Sequence, residues 1–217
     1  MNSLAAQPMG CFIKRPKSTL DFLPKKTQKI TSRGTPMASN FFAAEVDELL
    51  AYRAIEETLN RFIRGIDRQD WPLALSTYHE DAHDEHGFFS GPATEFIERV
   101  AQAHVHQEHS MHFMSNLLID FQSHQVAIAE SYFLVFQRFS ARSPGVLDGN
   151  HGLRKFATAR YIDRFEERNG KWRVAHRVLL LGDMQEEQMT STLDLPTGFV
   201  AQKHSMDDYL YHALSAT

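Results

Sequence analysis

The chain has 217 residues, 42% of them hydrophobic and 23% charged, which is the composition of an ordinary globular protein with a sizeable core. The net charge of −4 offers no basic field for nucleic acid, and no apolar run reaches the roughly 18 residues that a bilayer-spanning helix needs. The single cysteine, Cys11, excludes a disulfide within the chain and favours a reducing, cytoplasmic location.

Residues 1–39 differ in composition from the rest of the chain. Seven basic side chains stand there against one acidic side chain, Asp21. Helix-breaking prolines recur along the segment, at Pro8, Pro16, Pro24 and Pro36. We therefore expect a disordered basic tail. Two other interpretations stay open: a transit peptide, although no Arg-rich amphipathic helix is evident, and an upstream start codon, because Met37 would also open the protein.

A long amphipathic helix is predicted directly after this tail. Asn40 is a suitable N-cap, and apolar residues recur at intervals of three and four from Phe41 to Ile66. Such spacing places the apolar side chains on one stripe of a helix, which must then pack against a core. Gly65 is expected to weaken the last turn.

Shorter elements follow the long helix. Asp70 as a cap and Pro72 in the first turn predict a second helix. The polar stretch 79–91 contains two glycines and is interpreted as a short strand pair around a turn. Apolar residues at helical spacing in 94–103 predict a third helix.

The periodicity changes to two after the third helix, which indicates strands. The segment 111–121 alternates, and one of its faces would carry His112, Met114, Asn116 and Leu118. Segments rich in β-branched and aromatic residues predict three more strands, at 126–139, 153–165 and 171–181. The pair Asn169–Gly170 predicts a hairpin turn between the last two strands. A short helix is expected at 206–214.

Helices that precede long antiparallel strands indicate an α+β fold. We expect a cone-shaped, curved antiparallel sheet wrapped on the N-terminal helices, formed by residues 40–185. Residues 186–217 would be a C-terminal extension. A curved sheet closed by a long helix encloses an apolar interior, which suits a ligand of modest size.

Three motifs in this layout resemble a known family. They are Gly-Ile-Asp-Arg-Gln-Asp-Trp at 65–71, Met-His-Phe-Met-Ser-Asn at 111–116 and Asn-Gly-Lys-Trp-Arg-Val at 169–174. Together they resemble the SnoaL-like branch of the nuclear transport factor 2-like superfamily, over about residues 45–184. The resemblance implies a cystatin-like α+β barrel. Within the branch the motifs are most similar to those of cofactor-free dehydratases and dehydrochlorinases.

The resemblance implies a catalytic group of three residues. Asp67, at the end of the first helix, and His112 match an Asp–His pair, and Arg177 matches an arginine that some of these enzymes add. Elimination of water or halide beside an acidic C–H bond needs a base, and a neutral imidazole can take the proton. The carboxylate would fix the imidazole tautomer, and the arginine would stabilise a developing anion.

Each of these three residues also has a structural interpretation. Asp67 lies between Arg64 and Arg68 and could be a surface charge. His112 could be a histidine of the core with no chemical role. Arg177 could belong to a dimer face or to a surface ion pair.

The predicted substrate-binding side chains lie near the end of the long helix, shortly after it, or on the strands expected to line the interior. They are Phe62, Trp71, Tyr78, Met114, Asn116, Glu130 and Tyr132. The resemblance places Phe62 where the bile-acid dehydratase has a tyrosine, so no phenol-assisted step is expected at that position. Glu130 would occupy the place of an additional acid in that enzyme, and a purely structural role for it stays open. Trp71 could equally be a packing residue.

Histidines are also concentrated between residues 79 and 86, together with acidic residues. A metal site could use such side chains, but no His-Glu-x-x-His pattern occurs and no cysteine is near. We interpret the stretch as a solvated polar loop. Neither a metal nor a cofactor is expected.

These observations lead to two functional hypotheses. The first is a cofactor-independent lyase or isomerase that acts on a small apolar cyclic substrate by His–Asp general base catalysis. The second is a non-catalytic ligand-binding or assembly module, such as a protein like the small subunit of a ring-hydroxylating dioxygenase. In both, the resemblance implies a homo-oligomer, a dimer or a trimer, with no nucleic-acid or membrane partner.

Overall fold

The computed structural model describes residues 45–147, 149–191 and 195–216, all of which lie in one compact unit. The predicted basic tail and the predicted helix start at Asn40 lie outside these ranges. Within them, no helix is both long and apolar enough to cross a bilayer.

Four α-helices are present in the described residues. They are α1 (Glu45–Asp67), α2 (Trp71–Leu75), α3 (Ala93–Ala103) and α4 (Tyr209–Ser215), and a single 3₁₀ turn, His104–His106, follows α3. The buried stripe of α1 begins only at Ala51, because Val46, Leu49 and Leu50 are exposed. The side chain of Asp70 caps α2 by accepting a hydrogen bond from the backbone of Leu73, as its sequence position predicts.

Gly65 allows close helix packing, a role that the sequence analysis, which considered only its low helix propensity, does not predict. A Cβ atom at this position would lie 2.6 Å from the backbone nitrogen of Ala74 in α2. Only a glycine therefore lets α1 and α2 approach so closely. The glycine fixes how α2 sits against the end of α1, immediately beside Asp67.

Within the described ranges, the sheet has six strands. They are β1 (Tyr78–Glu85), β2 (Ser90–Pro92), β3 (Gln107–Ser123), β4 (Val126–Phe139), β5 (Leu153–Arg168) and β6 (Lys171–Gln188), in the spatial order β2-β1-β6-β5-β4-β3. All neighbouring pairs are antiparallel except β1 and β6. The predicted α+β fold, with N-terminal helices and a mostly antiparallel sheet, is confirmed. The last strand continues to Gln188, past the predicted end at 181.

The core lies between the helices and one face of the sheet, here called the inner face. On β4, alternate residues Ala127, Ala129 and Phe133 are buried against the stripe of α1 and the apolar side of α3. Tyr161 and Phe165 of β5 point the same way. Because side chains alternate along a strand, the intervening residues must face outward.

A bulge in β3 changes which residues face the core. Met114 pairs with Phe133 and Leu117 pairs with Ser131, so β3 has one extra residue between them. His112 and Met114 therefore face inward before the bulge, whereas Leu117 and Ile119 pack against the core after it. The expectation that Leu118 shares a face with His112 is wrong, since Leu118 is 60% exposed.

Candidate active site

An aspartate and a histidine meet at the end of α1. The Nδ1 atom of His112 lies 2.6 Å from Oδ1 of Asp67, and the backbone N–H of His112 donates to Oδ2 at 2.9 Å. The hydroxyl of Ser110 donates to Oδ1 at 2.8 Å. Both carboxylate oxygens are thus fixed by β3. The structure brings together two of the three predicted catalytic residues, although their positions are 45 apart in the chain.

Asp67 is held as a carboxylate. It is only 5% exposed, so the surface-charge interpretation is wrong. Burial raises the pKa of Asp67, but the hydrogen bonds and charge of His112, together with the hydrogen bond from Ser110, outweigh burial and lower that pKa overall. An ionised Asp67 accepts a hydrogen bond from Nδ1–H of His112, which leaves Nε2 as the basic nitrogen.

The C-terminal segment reaches back to this pair. His204 places Nδ1 2.8 Å from the carbonyl oxygen of Asp67, and Gln202 donates to the carbonyl of Ser110 at 3.2 Å. The hydroxyl of Tyr211 donates to Asp70 at 3.0 Å, which anchors α4 to the cap of α2. The sequence contains no signal for these contacts, because they join residues more than 90 positions apart.

A second histidine, His104, lies beside the pair and stays neutral. Its ring centroid is 5.3 Å from that of His204 and 5.7 Å from the indole of Trp71. Burial, with the nearby His204 and His112, lowers the pKa of His104 to about 3. The half-buried Trp71 therefore borders the site through His104 and not through a contact with Asp67.

Arg177 is fully buried and bound to another acid. Its Nε and Nη2 atoms donate to the two oxygens of Asp163, each at 2.7 Å, and Nη1 donates to the hydroxyl of Tyr78 at 3.0 Å. The guanidinium carbon lies 4.2 Å from the ring centroids of both Phe62 and Tyr161. The surface and dimer-face interpretations of Arg177 are wrong, because its side chain is fully buried. Its Nε and Nη2 atoms are both used in the bidentate hydrogen bonds to Asp163.

A second Asp–His pair lies in the stretch that was interpreted as a solvated loop. Asp84 is fully buried and His86 is 9% exposed, so this interpretation is wrong for both. The reason is the alternation along β1, which turns Ala82 and Asp84 towards the core. Among the described residues, no group of three or more His, Cys, Asp or Glu side chains is arranged to hold a metal ion.

The structure divides the predicted substrate-binding residues. Phe62, Tyr78 and Met114 face the interior. Asn116 lies at the bulge of β3 and is exposed. Glu130 and Tyr132 lie on the outer face of β4, where Arg160 pairs with Glu130 and lies over the ring of Tyr132. Their assignment to an interior site is corrected, because the buried residues of β4 are those at odd positions.

A cavity elsewhere in the described residues does not include the Asp67–His112 pair in its lining. Its volume is about 760 Å³, and it lies under the C-terminal segment beside Phe136, Phe156 and Gln202. The cationic groups Arg138, Arg154 and Lys155 that line it are paired with Glu108, Glu187 and Glu186. His109 is the histidine among its lining residues, and no hydrogen bond to that ring is found within the described part of the chain.

The model of the SnoaL-like domain matches residues 47–178, more than half of the chain. The chain belongs to the SnoaL-like domain family. Among curated proteins, the sequence has no significant match.

The SnoaL-like chain also resembles solved structures. One is a putative scytalone dehydratase from Novosphingobium aromaticivorans, with a TM-score of 0.57, 18% identity, and coverage of 73% of this chain and 100% of that one. Another is the hexachlorocyclohexane dehydrochlorinase LinA-type3 from Novosphingobium barchaimii, with a TM-score of 0.56, 18% identity, and coverage of 70% and 99%. At this identity the likeness shows the shared fold.

Proposed function

We propose that this SnoaL-like protein is a cofactor-independent lyase in which His112 removes a carbon-bound proton from a small apolar cyclic substrate. The observation that carries the proposal is the Asp67–His112 hydrogen bond, in which a buried carboxylate fixes the imidazole through Nδ1. The side chains of His112 and Asp67 are 11% and 8% exposed, so the pair lies just beneath the protein surface.

The proposed proton abstraction follows from the hydrogen bonds. Nε2 of His112 takes the proton, and the carboxylate of Asp67 stabilises the imidazolium that forms. Ser110 and the backbone of His112 hold that carboxylate still, so no reorganisation is needed when charge develops. A positioned base of this kind contributes about 10²–10⁴-fold in rate.

Arg177 enters this proposal as a fixed positive charge and not as a direct ligand. Its donors are used by Asp163 and Tyr78, while its guanidinium lies against the rings of Phe62 and Tyr161. In this proposal, the buried positive charge favours electron density that builds up on a substrate at the neighbouring His112. The aromatic side chains suit a cyclic apolar molecule.

Lyase activity can be tested without knowledge of the natural substrate. The ring opening of 5-nitrobenzisoxazole reports the removal of a carbon-bound proton by a base in an apolar environment. We expect wild-type turnover above the buffer rate and a loss of about 100-fold or more in His112→Ala. The exposed His212 supplies a matched control, His212→Ala, which should keep the wild-type rate.

Two outcomes would contradict the proposal. If His112→Ala keeps its activity, His112 is not the base. If the wild type binds apolar cyclic ligands but turns over neither this probe nor cyclic hydroxy ketones, the non-catalytic binding module becomes the better function.

We also propose that a second copy of the chain covers the outer face of the sheet. Phe113, Leu134 and Phe136 are 40–47% exposed there, and the rings of Phe113 and Phe136 are in edge contact at 6.0 Å. Charged groups on this face pair within the chain, as Arg160 does with Glu130. Because its charges are neutralised within the chain, this apolar face suits a second copy of the same chain. A stable interface buries about 800 Å² of accessible surface on each partner.

A further inference from the structure

The C-terminal segment, residues 195–216, is attached to the end of α1 and to β3 by polar contacts. Gln202 donates a hydrogen bond to the backbone carbonyl of Ser110, and Nδ1 of His204 lies 2.8 Å from the backbone carbonyl of Asp67. The helix of this segment, α4, buries none of its side chains. The attachment therefore depends strongly on these hydrogen bonds and on the few residues buried around them.

His204 is the buried histidine of this attachment, since the residue is only 7% exposed. The carbonyl oxygen of Asp67 can only accept, so Nδ1 of His204 carries the proton and Nε2 keeps its lone pair. Nε2 is buried and has no hydrogen-bond partner among the described residues. A proton added at Nε2 would be a buried donor that lacks an acceptor, which disfavours the charged ring in this position.

A second buried histidine, His104, faces His204 from the 3₁₀ turn that follows α3. The two ring centroids lie 5.3 Å apart, and the ring of His104 also lies 5.7 Å from the indole of Trp71. His104 is 8% exposed, and its Nδ1 atom has no partner in the described part of the chain. Two positive charges on rings so close together would repel each other while shielded from water. The contact therefore suits two neutral imidazoles.

Apart from His104, the charged groups that face His204 come from three elements. The carboxylate of Asp67 in α1 favours a proton on the ring, whereas Arg68 after α1 and His109 on β3 oppose it. Within the segment itself, Asp208 lies 3.5 Å from Nε of Arg68 and faces that cation. Burial is the largest effect, and together with His109 and Arg68 it lowers the pKa of His204.

The surroundings of His104 oppose its protonation more strongly. Burial lowers the pKa of His104 to about 3, and the neighbouring rings of His204 and His112 act in the same direction against the carboxylate of Asp67. That carboxylate is already bound by Ser110 and His112. Both histidines of the contact are therefore neutral at neutral pH while the segment is attached.

We propose that the contact between His204 and His104 is a proton-sensitive latch, which holds residues 195–216 on the domain at neutral pH and releases them in a mildly acidic medium. Release gives the imidazoles access to water, where a histidine takes up a proton near pH 6.5. Because folding lowers both pKa values, the attachment is at full strength above the free value of about 6.5 and weakens as the pH falls below it. This inference concerns the attachment alone and is independent of the proposed lyase function.

The expected size of the effect follows from the titration of a free imidazole. A group of pKa 6.5 that takes up its proton only in the released segment changes the ratio of attached to released segment about tenfold between pH 7.5 and pH 5.5. His204 alone thus predicts about tenfold, and His204 with His104 about 100-fold. The carboxylates of Asp67 and Asp208 titrate below this range, because folding lowers their pKa values from about 3.9. Tyr211 titrates above it, with a pKa of about 12.

Hydrogen exchange, measured by mass spectrometry on the full chain, tests the latch. The reporters are the amides of Lys203, Asp208 and Tyr211, whose N–H groups are hydrogen-bonded within the segment. After correction for the intrinsic dependence of exchange on pH, we expect their protection to fall about 10- to 100-fold from pH 7.5 to pH 5.5. The amides of β4 and β5 should exchange at least about tenfold more slowly at both pH values, because release is local.

Three variants assign the protons to the latch. His204→Asn keeps a side-chain N–H for the Asp67 carbonyl but cannot be protonated, so the fall in protection should be about tenfold smaller than in the wild type. His104→Phe keeps a ring beside Trp71 and should also reduce the fall. The matched control is His212→Asn, at an exposed position of the same segment, which should retain the wild-type fall.

The proposal is overturned if the protection of the segment is the same at pH 7.5 and pH 5.5 in the wild type. An equal fall in the wild type, His204→Asn and His104→Phe also overturns it, because the protons are then taken up elsewhere. So does exchange of the segment at the rate of β4 and β5, which indicates unfolding of the whole domain. Nitrogen NMR of the wild type at pH 7.5 is a test that needs no variant: we expect a bare Nε2 in His204, and a protonated one contradicts the latch.

Discussion

Replacing Asp67 with asparagine tests the candidate site directly, because it removes one charge and keeps the side-chain shape. Asp67 accepts three hydrogen bonds, from Ser110 Oγ, from the backbone N–H of His112 and from Nδ1 of His112. An amide has a single acceptor oxygen. With this oxygen turned to the backbone N–H of His112, the NH₂ group faces Ser110 Oγ and Nδ1, so Nδ1 must give up its proton to accept.

The size of the effect follows from the loss of the charge. Hydrogen bonds to a charged group contribute about 1.5–3 kcal/mol and neutral ones about 1 kcal/mol, so we expect the free energy of unfolding to fall by about 1–2 kcal/mol. The effect on turnover should be larger, since the imidazolium of His112 loses its countercharge and the ring loses its fixed tautomer. We expect kcat to fall about 10³-fold, which corresponds to about 4 kcal/mol in the barrier.

Three measurements on Asp67→Asn check this reasoning. Urea unfolding gives the stability, 5-nitrobenzisoxazole gives the rate, and proton NMR follows the downfield resonance expected for the 2.6 Å bond between His112 and Asp67. The exposed Asp120 of β3 supplies the control Asp120→Asn, which should change none of them. A variant that loses the stability but keeps the rate within about threefold would refute the assignment of Asp67 to catalysis.

Three further predictions concern acid stability, the C-terminal segment and assembly. Because the pKa of Asp67 is lowered by folding, its stabilisation is complete above the unfolded value of about 3.9 and is lost as the pH falls through the folded value. Urea unfolding should therefore depend less on pH below 5 in Asp67→Asn, and identical slopes would contradict this. His204→Ala removes the hydrogen bond to the Asp67 carbonyl and should lower kcat about tenfold, whereas an equal loss in His212→Ala would show an unspecific effect. Phe136→Glu on the outer face should convert a dimer or trimer to monomers in light scattering, and a monomeric wild type would contradict the proposed interface.

The two Asp–His pairs share a local design. Each carboxylate is bound through Nδ1 of the histidine and is fixed by a hydroxyl, from Ser110 for Asp67 and from Tyr78 for Asp84. Both pairs are largely buried, since the His112 and His86 side chains are 11% and 9% exposed.

The sequence by itself predicted most of the elements and the first Asp–His pair. The periodicity of α1 and of the long strands reports which side of each element is apolar, and that information is local. The motif around Asp67 and the strand motif around His112 were sufficient to propose a pair, since a family resemblance joins distant positions. The cap at Asp70 follows from the same local chemistry.

Only the tertiary structure decided which polar groups meet. One extra residue in β3 turns Leu118 to the outer face, and the alternation along β4 turns Glu130 outward. Neither orientation can be recognised from the amino-acid composition of the strand. The burial of His86 depends on the pairing of β1 with β6, and the partner of Arg177 is an aspartate on a neighbouring strand. Such contacts join residues far apart in the chain, so their identity is a property of the packed sheet and not of any single segment.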